Sequence, residues 1–115
     1  MKLSYSLLAF SAILGTASHA LAQPMDHIII YDSSGSTAGV LSTWQANVKP
    51  QVVDLLESLH PGSRFAVAQH TDFPIAPHGG PGDFPYRLVA PLTPYANWNS
   101  VVQPLVNAMT AGGGG

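Results

Sequence analysis

The chain has 115 residues, a formal net charge of −2 at pH 7 and no cysteine. That length allows one small domain. The lack of a basic excess leaves little attraction for nucleic acid or anionic lipid, and the lack of cysteine excludes disulfides and thiolate metal sites.

Met1-Lys2 is a short basic start, and Leu3 to Leu14 is mostly apolar. "TASHALA" (16–22) then ends with Ala20 and Ala22 at small-residue positions. This is the layout of a secretory signal peptide over residues 1–22. The apolar stretch is too short and too broken by serines for a membrane span. The expected mature chain, residues 23–115, is therefore exported (secreted, periplasmic or extracellular) with no membrane span. It carries Lys49, Arg64 and Arg87 against six carboxylates.

"HIIIY" (27–31) reads as a strand apolar on both faces, which suits the middle of a covered, parallel sheet. "DSSGST" (32–37) follows directly. Leu41, Trp44, Val48, Val52, Leu55, Leu56 and Leu59 then recur at helical steps of three and four, with a bend expected at Pro50. "HPGS" (60–63) stops that helix. "RFAVAQHT" (64–71) is a second strand and "DFPIAPHGGPGDFP" (72–85) a long loop. "YRLVAPL" (86–92) is a third strand, which Pro91 places at an edge. "NWNSVVQPLVNAM" (97–109) is a weaker helix through Trp98, Val101, Val102, Leu105 and Met109, with Asn97 or Asn99 as its cap. The order strand, helix, strand, strand, helix predicts an α/β fold with a mainly parallel sheet.

Asp32 falls at the carboxyl end of the first strand, the edge where open α/β sheets bind ligands. Asp32, Ser34 and Ser36 are spaced by two around Gly35. One carboxylate and two hydroxyls make a hard-oxygen set suited to Mg²⁺, with Ca²⁺ or Mn²⁺ as alternatives. The same residues also suit an ordinary turn, with Ser36 or Thr37 capping the next helix. Both readings stand on the spacing alone.

"IIIYDSSGST" resembles the Asp-x-Ser-x-Ser loop of the von Willebrand factor type A family, its metal-ion-dependent adhesion site. "RFAVAQHTDFPIAPHGGPGDFPYRLVAPLT" resembles the following segment of bacterial and integrin-β-like members, and "AMTAGGGG" the approach to their second metal loop. The resemblance implies a Rossmann-like, doubly wound sheet. It implies Asp32, Ser34 and Ser36 as metal ligands, Asp72 as part of a possible second, calcium-binding site, and a protein partner that offers an acidic residue to the metal. "TAGV" (37–40) lacks the carboxylates of the adjacent site in integrin β chains, and Thr37 replaces the methionine common after the motif. Relatives continue where this chain stops, which implies a domain incomplete at its C-terminus, a fragment of a longer protein, with the first strand as an open edge.

The implied function is a cation-dependent protein-binding or adhesion module, not an enzyme. The alternative enzyme is a haloacid-dehalogenase-like phosphatase with Asp32 as nucleophile, but Ser34 stands where its general acid is required. A second alternative is an inactive truncated fragment. His60, His70 and His78 lack the spacing of a helical metal pair. Trp44 and Trp98 lie on apolar stripes and read as core.

Overall fold

A computed structural model describes residues 22–113. The expected leader, apart from Ala22, lies outside the described residues. Strand β1 (Asp26–Asp32) leads through a 3₁₀ turn at Gly35–Thr37 into α1 (Leu41–Val48), a π-helical turn (Lys49–Val53) and α2 (Asp54–Leu59). Strands β2 (Arg64–His70) and β3 (Arg87–Pro94) follow. A second helical segment then runs through Tyr95–Asn97 (3₁₀), Trp98–Val102 (π) and α3 (Gln103–Asn107). The described chain is a small mixed α/β domain with a three-stranded sheet in the order β1-β2-β3.

The expected order of elements is present, but the sheet is mixed. β1 runs parallel to β2 over seven rungs, from Asp26 opposite Arg64 to Asp32 opposite His70. β3 is antiparallel to β2, with two register shifts along the pair. A mainly parallel sheet is therefore not what the described residues form. Among the described residues β3 pairs with β2 alone, so Pro91 sits on an edge strand there.

β1 also departs from the expectation of a central strand buried on both faces. Its burial alternates: Tyr31 is buried and Ile29 partly so, while Ile28 and Ile30 are 59% and 58% exposed. β2 is the central strand, with Phe65 to Gln69 all buried. Composition alone cannot distinguish a strand covered on two faces from one covered on one. Here the helices contribute to a single core on the Phe65–Val67 face. It contains Tyr31, Leu41, Val48, Val53, Ala90, Trp98, Val102, Val106 and Met109. On the opposite face Ile28 and Ile30 flank the small Ala66 and Ala68 of β2.

Pro50 bends the first helix in a specific way. Proline offers no N–H and crowds the carbonyl four residues back, here that of Ala46. The π-helical turn accommodates it, and the Asp54 N–H donates to the carbonyl of Lys49, five residues back. That extra residue rotates everything downstream, so the buried stripe passes from Val48 to Val53 and Leu56. Val52, Leu55 and Leu59, expected on the stripe, are 38%, 55% and 53% exposed. The second helical segment repeats the arrangement ahead of Pro104, where the Gln103 N–H donates to the carbonyl of Trp98. Val106 is buried there, and Leu105 is 40% exposed. Asn97 precedes this π turn without a side-chain capping bond, contrary to the expected cap.

The stop after α2 is closed by Glu57, whose carboxylate accepts from the Gly62 and Ser63 amides at 2.8 and 3.1 Å. Gly62 holds φ +83°, a left-handed conformation that L side chains rarely adopt. Gly62→Ala should lower unfolding stability by about 1–2 kcal/mol, measured as a shift in urea midpoint at unchanged slope.

A polar cluster joins the two helical segments. Lys49 Nζ donates to Asp54 Oδ1 at 2.7 Å, and the Tyr95 hydroxyl donates to the same oxygen at 2.9 Å. The Lys49 hydrogen bond is the main cause holding the Asp54 carboxyl below its ordinary value, with Tyr95 adding to it against some desolvation. A lowered carboxyl stabilises the fold at pH values above the unfolded-state value. That contribution is lost as pH falls through the lower folded-state value. Asp54→Asn should therefore flatten the acid limb of a stability-against-pH curve, and that limb is the measurement.

Candidate functional site

The first loop is built where β1 ends beside β2. Ser33 is fully buried; its amide and its hydroxyl both donate to the His70 carbonyl, at 2.8 and 2.9 Å. This ties the start of the loop to the carboxyl end of β2. Thr37 closes the other end. Its hydroxyl lies 2.7 Å from the Asp32 carbonyl and 2.8 Å from that of Ser34, and the Tyr31 hydroxyl donates to the Thr37 carbonyl at 3.2 Å. Neither Ser36 nor Thr37 caps α1, whose first turn follows Val40 with no side-chain capping bond. The helix-cap reading of these residues is not what the structure shows.

Within that frame the three predicted oxygens come together on an exposed surface. The Ser34 and Ser36 hydroxyls lie 3.2 Å apart, and the Ser34 amide donates to Asp32 Oδ1 at 2.9 Å. The Ser34 hydroxyl, then its amide, holds the Asp32 carboxyl below its ordinary value; desolvation opposes this weakly and His70 adds to it. Asp32 is therefore an anion at neutral pH, the form in which a carboxylate binds a metal. One carboxylate with two hydroxyls is a hard-oxygen set that fits Mg²⁺, Ca²⁺ or Mn²⁺. Among the described residues no three His, Cys, Asp or Glu side chains converge. A cation held here would depend on hydroxyls and one charge.

The C-terminal glycines pack against this loop. The Gly112 amide donates to the Ser33 carbonyl at 2.9 Å, and the Gly35 amide to the Gly113 carbonyl at 2.6 Å. Gly113 has φ +77°, and a side chain there would collide with the Asp83 carboxylate. Asp83 also accepts from the Gly80 amide at 2.7 Å. The long loop, the first loop and the glycine run thus meet at one end of the sheet. Asp83 was not among the residues singled out from sequence, since nothing in "GGPGDFP" marks it except its charge.

Asp72 stands at the entrance of the long loop, two residues past β2, and its carboxylate accepts from the Phe73 amide at 2.8 Å. That bond is the local turn role of an aspartate. His60 Nδ1 lies 3.2 Å from the Gln23 carbonyl, and His70 Nδ1 lies 3.2 Å from that of Thr71. Trp98 is buried in the core, whereas Trp44 is partly buried, tilted against Tyr31 with ring centroids 4.5 Å apart.

No protein-family model and no curated protein matches the chain. Among the described residues no helix is long and apolar enough to cross a membrane.

Proposed function

We propose that the chain is an exported, cation-dependent protein-binding module, with Asp32, Ser34 and Ser36 contributing to a metal-ion-dependent adhesion site of the von Willebrand factor type A kind. The observation that carries this reading is the convergence of an ionised Asp32 with the paired Ser34 and Ser36 hydroxyls at the carboxyl end of a parallel strand. In open α/β sheets that edge is the usual ligand crevice. The crossover from β1 through a helix to a parallel β2, with an antiparallel β3 outside it, is compatible with the front half of a Rossmann-like sheet.

A single carboxylate leaves a divalent ion with net positive charge and coordination positions for water. Such an ion attracts an acidic side chain of a partner protein, which supplies the missing ligand. Mg²⁺ is the expected cation, with Ca²⁺ or Mn²⁺ able to replace it. Asp72 is kept as a possible contributor to a second site.

The test is binding to an immobilised protein partner in Mg²⁺ and in EDTA. Binding that EDTA removes and Mg²⁺ restores supports the reading. Binding undiminished in EDTA contradicts it.

A further inference from the structure

The long loop and the glycine run meet at one side chain, that of Asp83. The turn that presents it is tight. The Asp83 amide donates to the Gly80 carbonyl at 3.1 Å, its carboxylate accepts from the Gly80 amide at 2.7 Å, and Gly82 holds φ +97°. The carboxylate is wedged against two glycine backbones. A side-chain carbon built on Gly113 would fall on Asp83 Oδ1, and one built on Gly79 would stand 2.6 Å from Asp83 Oδ2. Glycine at 79 and 113 is what lets Asp83 occupy this place.

What the wedge fixes lies in the first loop. The Gly113 carbonyl accepts from the Gly35 amide at 2.6 Å, shorter than an ordinary N–H···O bond, and the Gly112 amide donates to the Ser33 carbonyl at 2.9 Å. The two backbones are close here as well, since a side-chain carbon on Gly35 would stand 3.2 Å from the Gly113 carbonyl oxygen. Gly35 is the residue between Ser34 and Ser36, whose hydroxyls lie 3.2 Å apart. Direct contact therefore runs from Asp83 through Gly113 and Gly35 to the middle of the oxygen set.

We infer that Asp83 is a positioning residue for the first loop. Its carboxylate holds Gly113 in place, the Gly113 carbonyl fixes the Gly35 peptide, and that peptide sets the spacing of the Ser34 and Ser36 hydroxyls. The consequence for a bound cation rests on the function proposed above; the effect on the loop does not.

The test follows the Gly35 amide resonance of the ¹⁵N-labelled chain in EDTA and, in separate samples, Mn²⁺ affinity from paramagnetic broadening. In Asp83→Ala the Gly35 amide proton should move upfield as its short bond lengthens. Mn²⁺ should bind about fivefold more weakly, the equivalent of one hydrogen bond. Asp83→Asn keeps the shape and an acceptor but not the charge, and should return both readings toward the parent. Resonances of β1 and β2 that stay in place show that both variants are folded. Three results would overturn the proposal. One is a Gly35 resonance unmoved in Asp83→Ala, and another is unchanged Mn²⁺ affinity in that variant where the parent binds. The third is an asparagine variant that binds as weakly as the alanine one, which would mean that the charge of Asp83 acts on the ion directly. A parent chain that takes up no Mn²⁺ would contradict the cation reading instead, and the Gly35 resonance alone would then decide the role of Asp83.

Discussion

Trp98→Ala should destabilise the domain by about 3–5 kcal/mol, against a typical total of about 5–15 kcal/mol. Trp98 is 1% exposed and meets Phe65 edge-on, with ring centroids 6.1 Å apart at 86°. Its indole N–H donates to Gln103 Oε1 at 2.8 Å, while Gln103 Nε2 donates to the Gln45 carbonyl at 3.0 Å. Gln45 Nε2 in turn reaches the Val106 and Met109 carbonyls. Truncation therefore opens a cavity beneath β2 and removes a partner from the polar chain that joins α1 to α3. Trp98→Phe separates the two effects. It keeps most of the ring and should cost about 1–3 kcal/mol through the unpartnered Gln103 oxygen and the smaller volume. Urea denaturation of both variants is the measurement, and a loss below about 1 kcal/mol for the alanine variant would show that the core is not organised around this residue.

Asp32→Ala should abolish cation-dependent binding while leaving the domain folded. Asp32 is the only charged member of the oxygen set, and two neutral hydroxyls do not hold a divalent ion against water. Its side chain is exposed, and the loop is anchored elsewhere, by Ser33 on the His70 carbonyl and by Thr37 on two loop carbonyls. The expected stability loss is that of the exposed hydrogen bonds from the Ser34 hydroxyl and amide, about 1 kcal/mol. Asp32→Asn keeps an acceptor for the Ser34 amide but removes the charge, so it should match the alanine variant in binding and the parent in stability. An asparagine variant that retains cation-dependent binding would shift the site away from this loop.

Much of the fold follows from local rules. The isoleucine run, the Gly62 turn and the position of Pro91 each mark an element that forms where expected. The misreadings have physical causes. "HIIIY" cannot report how many faces are covered, because Ile28 and Ile30 are as apolar as the partly buried Ile29. A fixed helical period places Val52 and Leu55 inside, but Pro50 induces a π turn that transfers burial to Val53. The loop itself was legible as a set of oxygens at a strand end. Its scaffolding was not, since Ser33 and Thr37 look like further turn residues until the carbonyls they bind are brought alongside by β2. Asp83 was similarly hidden, because only the fold carries it to Gly113.

The most direct test of the central claim is titration of ¹⁵N-labelled chain with Mn²⁺, whose unpaired electrons broaden nearby amide resonances. The account predicts that Ser33 to Thr37 broaden first, that excess Mg²⁺ reverses the effect, and that Asp32→Ala removes it. Broadening that begins elsewhere, or that survives in Asp32→Ala, would contradict it.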